Sequence, residues 1–286
     1  MLVIDYSGIA VAAIFSQDRP EEIQEGLIRH MILNQIRRYN LQFREECKHT
    51  IIACDGGSWR KKAYAQYKAK RKTNREESPL DWKEFFRLIN KIRDEIQEHF
   101  PYSVLQVDDA EADDIIAILA KSTQEFGKHE PVVIVSADKD FLQLQQYKNV
   151  KQYSPNKRGF ISVEDPHFSK FEHICKGCPG DGVPNTLSVD ESIVDSIRQT
   201  PMRKKKIQEW YENRDNLASV MDSETYRNFQ RNQTMIDFDY IPEDMVAKIN
   251  DAIDKESGKK GKSILNYLIV NRCSMLVEAA GDFQTK

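Results

Sequence analysis

VDDAEADDIIAILA, Val107 to Ala120, and PVVIVSADKDF, Pro131 to Phe141, are the stretches on which the reading of the fold turns. The first opens with Asp108, Asp109, Glu111, Asp113 and Asp114 and continues with Ile115, Ile116, Ile118 and Leu119. That is the pattern of a helix start followed by turns that bury one face. The second is a short Val/Ile run ending in Ser136-Ala137-Asp138-Lys139-Asp140. Such a run between helical segments is typical of a parallel strand covered on both faces. In parallel sheets, ligands gather outside the carboxyl ends of the strands, and Asp138 and Asp140 stand at such an end. Acids at a helix start also act as ordinary caps, worth up to about 1 kcal/mol each, and one Asp after a strand is an ordinary turn. Capping alone does not offset several carboxylates held together. Hard divalent cations do, and an oxygen-only ligand set suits magnesium or manganese.

The same pattern recurs towards the N-terminus. Leu2-Val3-Ile4 ends in Asp5 with Gly8 close behind, and Thr50 to Cys54 ends in Asp55-Gly56-Gly57. Val104 to Val107 ends in Asp108. Helical periodicity from about Glu21 to Tyr39, and a further helix from Asp81, separate these strands. Four strands that each end in a carboxylate, alternating with helices, predict an α/β parallel sheet with one acidic rim. Asp5, Asp55, Asp138 and Asp140 would converge there with Glu111 and Asp113 of the helix start, and capping does not account for that convergence.

Composition sets the bounds. The chain has 286 residues, 40% apolar and 30% charged, which is one large or two smaller globular domains. Its apolar runs are far too short to span a membrane. No basic, apolar leader precedes the first strand, and five cysteines, an odd number, suit reduced thiols in a cytoplasm. The net charge of −3 announces no polyanionic partner, so charge is read locally.

Locally, the stretch Ser58 to Arg75 carries eight Lys or Arg and no acid, with Trp59, Tyr64 and Tyr67 interleaved. Cations that meet phosphates and aromatics that stack on unpaired bases suit a nucleic acid. A mobile basic cover over an acidic rim suits a phosphodiester that must meet both. Further on, Val150 to Tyr153 and Gly159 to Val163 read as short strands around a Ser-Pro-Asn-Lys turn, followed by a helix from Pro166 to Lys176. Gly177 to Asn185 is a tight Gly/Pro loop carrying Asp181, fit to hold a phosphate or an ion. His173, Cys175 and Cys178 lack the second ligand pair of a zinc site. From about Ser188 the pattern is helical: Arg203 to Tyr211, Glu224 to Gln233, and one last helix from Ser263 to Ala280. Asp237 and Asp239 read as surface turn residues, and Lys255 to Lys262 as a basic linker. A boundary near residue 180 separates a core of 1–180, with a basic arch at about 58–100, from a helical region of 181–286.

Asp5 after LVI, CDGGSWR around Asp55, Tyr67-Lys68-x-x-Arg71, Glu111-Ala112-Asp113-Asp114 and Ser136-x-Asp138-x-Asp140 resemble the flap endonuclease / 5′-nuclease superfamily. The resemblance covers nearly the whole chain. It implies a PIN-like α/β nuclease core, a helical arch over the site, and a smaller all-helical C-terminal region with a helix–loop–helix element that grips duplex DNA. Arg203, Lys204 and Lys205, at the start of a helix in that region, are expected to meet substrate. The implied activity is a 5′→3′ exonuclease and flap endonuclease that removes RNA primers in lagging-strand replication, acting as a monomer on branched or nicked duplex DNA and RNA–DNA hybrids. Asp5, Asp55, Glu111, Asp113, Asp138, Asp140 and Asp181 match the family's metal ligands, and Asp114 stands behind them. Arg60, Tyr67, Lys68 and Arg71 match residues of the arch that contact substrate, with Lys68 and Arg71 at the scissile phosphate.

The resemblance further implies two-metal hydrolysis with two Mg2+ ions, for which Mn2+ substitutes, held roughly 4 Å apart. Asp5, Asp55, Glu111, Asp113 and Asp138 go to the first ion; Asp140 and Asp181 go to the second. The family's loop often reads Gly-Asp-x-x-Asp-Asn. Here Cys178 takes the place of the first acid and Gly182 that of the Asn, which thins the second site. A single-stranded-DNA-binding protein and a sliding clamp are candidate partners. With four residues ahead of Asp5, no N-terminal clamp-docking peptide is expected. Two rival classes share parts of this pattern: a PIN-type ribonuclease acting on single-stranded RNA, and a non-catalytic, structure-selective DNA-binding module.

Overall fold

The computed structural model describes residues 1–127, 129–256 and 263–285, with no description of the Phe126 side chain. The chain enters at β1 (Leu2–Asp5) and passes through α1 (Tyr6–Phe15) and α2 (Glu25–Phe43) to β2 (Thr50–Cys54). Three helices, α3 (Arg60–Ala63), α4 (Lys70–Glu76) and α5 (Trp82–His99), precede β3 (Ser103–Gln106). Then come α6 (Ala112–Ser122), β4 (Val132–Val135), a 3-10 turn at Asp140–Gln146, β5 (Val150–Ser154), β6 (Gly159–Ile161) and α7 (Pro166–Lys176). The remainder is helical among the described residues: α8 (Lys204–Glu212), α9 (Ser223–Ile236), α10 (Glu243–Glu256), α11 (Ile264–Val270) and α12 (Ser274–Val277).

The strands form one sheet in the order β3-β2-β1-β4-β5-β6. The first five run parallel, and β6 returns antiparallel as a hairpin on β5. Alternation along the strands sends Leu2, Ile4, Ile52, Val104 and Val133 to one face, under α1, α2 and α5. It sends Val3, Ile51, Ala53, Leu105 and Ile134 to the other, under α6 and α10. Parallel strands buried on both faces need apolar residues at every position, which is why these runs show no polar alternation. A third cluster gathers α7, α8 and α9 around Trp210 and Phe229, and takes in Tyr64 and Tyr67.

The helical tail also returns to the core. Met245 and Ile249 of α10 join one face, and Tyr267, Leu268, Leu276 and Phe283 join the other. Arg37 pairs with Asp282 at 2.7 Å, and Asn40 Nδ2 donates to the Asp282 carbonyl at 2.9 Å.

Three expectations change here. The last helix is not continuous from Ser263 to Ala280. It breaks after Val270, Arg272 turns left-handed with φ 55°, and Cys273 N–H donates to the Leu268 carbonyl at 2.8 Å. The break lets Cys273 and Leu276 reach the core that Tyr267 and Leu268 already fill. Asp237 is not a surface residue; it is buried and paired with Lys170 at 3.0 Å, joining α7 to the turn after α9. Asp239, its exposed neighbour, pairs with Lys121 at 2.8 Å. Of the basic stretch Lys255 to Lys262, Lys255 and Glu256 close α10 and residues 257–262 lie outside the described residues. All five cysteines are free thiols, and no helix among the described residues is long and apolar enough to cross a membrane.

Candidate active site

The chain leaves β1 to build β2 and β3 on one side and returns to build β4 on the other, so the sheet switches direction between β1 and β4. At such a point the loops at the strand ends part and leave a crevice. Asp5 closes β1 there, and Asp138 follows β4. Ser136 Oγ bridges them: it donates to Asp5 Oδ2 at 3.1 Å and accepts from the Asp138 N–H at 3.2 Å. Asp5 also caps α1 through the Gly8 N–H at 3.1 Å. Asp55, after β2, accepts from Ser7 Oγ at 2.6 Å and from the Ala112 N–H at the start of α6 at 2.9 Å. Gly56 allows this, because a Cβ there would stand 2.0 Å from the Val107 carbonyl oxygen. Asp113 lies half-buried on the first turn of α6.

The crowding of these carboxylates shows in their proton affinities. Burial, with repulsion from Asp55 and Asp138, lifts Asp5 to about 6 against the pull of the Gly8 N–H. Asp113 is raised by burial and by Asp138 and Asp5, and Asp140 by burial, Asp138 and Asp181. Acids held close enough to suppress one another's ionisation, and supplied only with oxygen donors, fit a hard divalent cation. Among the described residues, no group of three or more His, Cys, Asp or Glu stands placed to hold an ion as the side chains lie. Two of the expected ligands, Glu111 and Asp181, pair with cations of the arch.

Glu111 caps α6 in a reciprocal box with Asp114, whose Oδ2 accepts from the Glu111 N–H at 3.0 Å. Its carboxylate accepts from Arg60 Nη1 at 3.2 Å, from Tyr67 Oη at 2.8 Å and from Lys68 Nζ. Burial alone would raise its pKa, but Lys68, Arg60 and Tyr67 together hold it below the usual carboxylate range. Arg60 is 2% exposed; it also binds Asp114 at 2.8 Å and the Met235 carbonyl at the end of α9 at 2.8 Å. Its guanidinium is engaged by two acids and a carbonyl. Tyr67 is buried too, and its hydroxyl lies between Glu111 and Asp181. Trp59 and Tyr64 are likewise buried, so the aromatics of the basic stretch build the core rather than a stacking surface. Asp108 and Asp109 precede α6 in a turn, and Asp109 pairs with Lys62.

Asp181 lies in the Gly/Pro loop, opposite the base of the arch. Arg71 Nη2 reaches it at 2.6 Å, Lys68 Nζ at 3.7 Å and Tyr67 Oη at 3.3 Å. Gly182 takes the left-handed conformation, φ 78°, and a Cβ there would stand 2.4 Å from the Gln66 carbonyl oxygen. Asn in that place would crowd the arch, which gives the departure at this position a structural reason.

His173 had no expected place in the rim. It faces Asp140 at 3.3 Å from α7, which packs on the 3-10 turn that Asp140 opens. Only that packing brings it there, and no local pattern signals it. Cys178 is half-buried, its thiol pushed up to about 12 by burial and by Asp181 and Asp140. Arg203, Lys204 and Lys205 are exposed at the start of α8, away from these contacts. Cations oppose the dipole at a helix start, so helix stability does not explain their presence.

Residues 1–171 match the family model described as 5′-3′ exonuclease, N-terminal resolvase-like domain, and residues 168–283 match that described as T4 RNase H, C terminal. The chain belongs to the 5′→3′ exonuclease family. Ribonuclease H of Enterobacteria phage T4 is 32% identical to it over 294 residues, which cover 98% of this chain and 95% of the relative. Flap endonuclease Xni of Shewanella piezotolerans is 35% identical over 118 residues, 41% of this chain and 42% of the relative. Among solved structures, the T5 protein co-crystallised with metal ions matches with a TM-score of 0.62 at 18% identity, covering 90% of this chain and 99% of that one. A flap endonuclease of bacteriophage T5, in a pseudo-enzyme-product complex with DNA and metal ions, matches with a TM-score of 0.60 at 17% identity, covering 89% and 98%. At these identities the structural likeness speaks for the fold, and this 5′-nuclease shares a parallel-sheet core and a helical C-terminal region with those proteins.

Proposed function

We propose that this chain is a divalent-metal-dependent 5′→3′ exonuclease and flap endonuclease that hydrolyses phosphodiesters of DNA and RNA–DNA duplexes and removes RNA primers in lagging-strand replication. The observation that carries the reading is the meeting of two opposite charges at one point of the sheet. Carboxylates from the ends of β1, β2 and β4 and from the start of α6 crowd the switch point, and beside them Lys68 of the arch pairs with Glu111 and Arg71 with Asp181. A phosphodiester needs both partners: anions that hold cations against it, and cations that neutralise it directly.

Asp5, Asp55, Glu111, Asp113 and Asp138 would hold one Mg2+ ion, and Asp140 and Asp181 a second, with Mn2+ as a substitute. Bound metal supplies an activated water and stabilises the charge that develops on the attacked phosphate. The chain's own residues do the rest. Glu111, through Arg60, Tyr67 and Lys68, fixes the ammonium of Lys68 over the rim. Arg71, half-exposed, swings between Asp181 and a phosphate oxygen. Asp114 anchors Arg60 and thereby the arch. Exposed Arg203, Lys204 and Lys205 meet duplex phosphates outside the crevice. A digest of a 5′-flap duplex with and without magnesium tests the reading by product size. Short 5′-phosphorylated products that appear only with metal support it, and equal digestion in chelator overturns it.

A further inference from the structure

Ser136, Asp138 and Asp140 alternate along the turn after β4, and their side chains are linked at the rim. The main-chain carbonyls of the same three residues are all held by two buried glutamines. Gln152 of β5, 1% exposed, donates from Nε2 to the Ser136 carbonyl at 3.1 Å and to the Asp138 carbonyl at 2.6 Å. Gln143 of the 3-10 turn, 5% exposed, donates from Nε2 to the Asp140 carbonyl at 2.9 Å. The same nitrogen donates to the carbonyl of Ile236, the last residue of α9, at 3.0 Å. Gln143 Oε1 accepts from the Phe238 N–H at 3.1 Å.

Core packing does not require amides at these two places. A Met would fill either one with no hydrogen bond to satisfy. Gln152 is not even fully satisfied: its Oε1 is buried and has no hydrogen-bond partner among the described residues. An unpaired buried acceptor is destabilising, so fold stability alone does not explain this residue. Its donated hydrogen bonds all go to the turn, where Ala137, Asp138 and Lys139 are exposed. Small and charged residues in the open have few apolar contacts to fix their main chain. Carboxylates that are to receive an ion must nevertheless be held to within about 0.5 Å of their place. Carbonyls pinned at positions 136, 138 and 140 supply that constraint on either side of Asp138 and at Asp140 itself.

We infer that Gln143 and Gln152 are positioning residues for the metal carboxylates. They fix the Ser136–Asp140 main chain, so that Asp138 and Asp140 are set for the ions before an ion arrives. This deepens the proposed metal-dependent reading and rests on it. Gln143 also makes the setting depend on the helical C-terminal region, because two of its three hydrogen bonds end at Ile236 and Phe238.

The test uses the full chain with Gln143→Met and Gln152→Met. Magnesium is titrated calorimetrically into each protein without DNA, and urea midpoints are read in EDTA. Each variant should bind magnesium roughly ten- to a hundredfold more weakly than wild type. The midpoint of Gln152→Met in EDTA should stay near wild type, since the substitution also removes the orphan acceptor. On a 5′-flap duplex, the magnesium needed for half-maximal cleavage should rise by the same factor while KM for the duplex holds. Unchanged magnesium affinity in both variants overturns the inference, and so does a loss seen only in the urea midpoints, which would mark the amides as packing. Gln152→Met keeps the test open should Gln143→Met fail to fold. If wild type itself binds no magnesium, the metal-dependent reading fails. The hold on the turn is then decided by amide hydrogen exchange at Asp138 and Asp140 in EDTA, which should quicken in both variants; unchanged exchange would show that the glutamines do not hold it.

Discussion

The backbone N–H of Lys68 donates to the backbone carbonyl of Asp181 at 2.7 Å. The base of the arch and the Gly/Pro loop are thus registered main chain to main chain. Lys68 takes a left-handed conformation there, φ 56°, which for a residue with a Cβ costs roughly 1–2 kcal/mol. The same residue carries its ammonium to Glu111. Arch cations and rim acids therefore neutralise one another, and any metal or phosphate entering the site competes for groups already engaged.

Lys68→Ala with Arg71→Ala should separate these roles. Salt dependence of substrate binding should flatten by about 0.7–0.9 in log–log slope for each phosphate that is no longer neutralised. Turnover should fall as well. Binding measured across a salt series, beside single-turnover cleavage, checks both; an unchanged slope and rate would make the two cations a solvated face.

Asp138 bridges to Asp5 through Ser136 and caps the turn that carries Asp140. Asp138→Asn should lower cleavage by at least about a thousandfold, the several kcal/mol that a metal supplies. DNA binding should stay close to wild type, because phosphate contacts elsewhere carry it. Melting temperature should hold or rise, as one repelling carboxylate is gone. Wild-type turnover would place Asp138 outside the chemistry.

Arg60 holds a buried pair of acids, so removing it leaves uncompensated charge. Arg60→Ala should destabilise the protein by about 3–5 kcal/mol, read from urea unfolding. Adding Asp114→Asn should recover part of that loss. At a temperature where the variant stays folded, cleavage should fall as well, because Arg60 helps Glu111 hold the Lys68 ammonium over the rim.

The pH dependence of stability has a definite sign. Asp5 is raised from 3.8 to about 6, so its contribution is full below about 3.8 and is lost as pH rises through about 6. Asp113 and Asp140 are shifted in the same direction. Glu111 is lowered, so its contribution is present above its ordinary value near 4.5 and is lost as pH falls below it. The chelator-treated protein should then be most stable in mild acid and weaken as pH rises towards neutrality, and magnesium should abolish the neutral-side loss. Urea midpoints across the pH range, with and without metal, test this; a rise in stability towards neutral pH in chelator would contradict it.

Cys178 stands beside Asp181 and Asp140 with its thiol pushed up to about 12, so at neutral pH it offers a hard cation neither charge nor oxygen. Cys178→Asp should shift the magnesium titration of cleavage to lower concentration and change turnover at saturating metal much less. Overlapping titrations would show that residue 178 lies outside the metal's surroundings and that Asp181 suffices.

The sequence by itself determined the parallel sheet and its acidic rim. A buried parallel strand must be apolar throughout, and the acid that follows it marks its carboxyl end, so Asp5, Asp55 and Asp138 were legible from a few neighbouring residues. Asp114 was set behind the rim by the family resemblance, and its capping box with Glu111 and its pairing with Arg60 emerge from the structure. The tertiary structure alone decided which cations and aromatics remain available. Arg60, Trp59 and Tyr67 sit in a stretch that reads as an open basic surface, yet packing against α6, α7 and α9 buries them. His173 meets Asp140, and the tail helix breaks at Arg272, for the same reason: the partner lies far away in sequence, and its burial outweighs the local pattern.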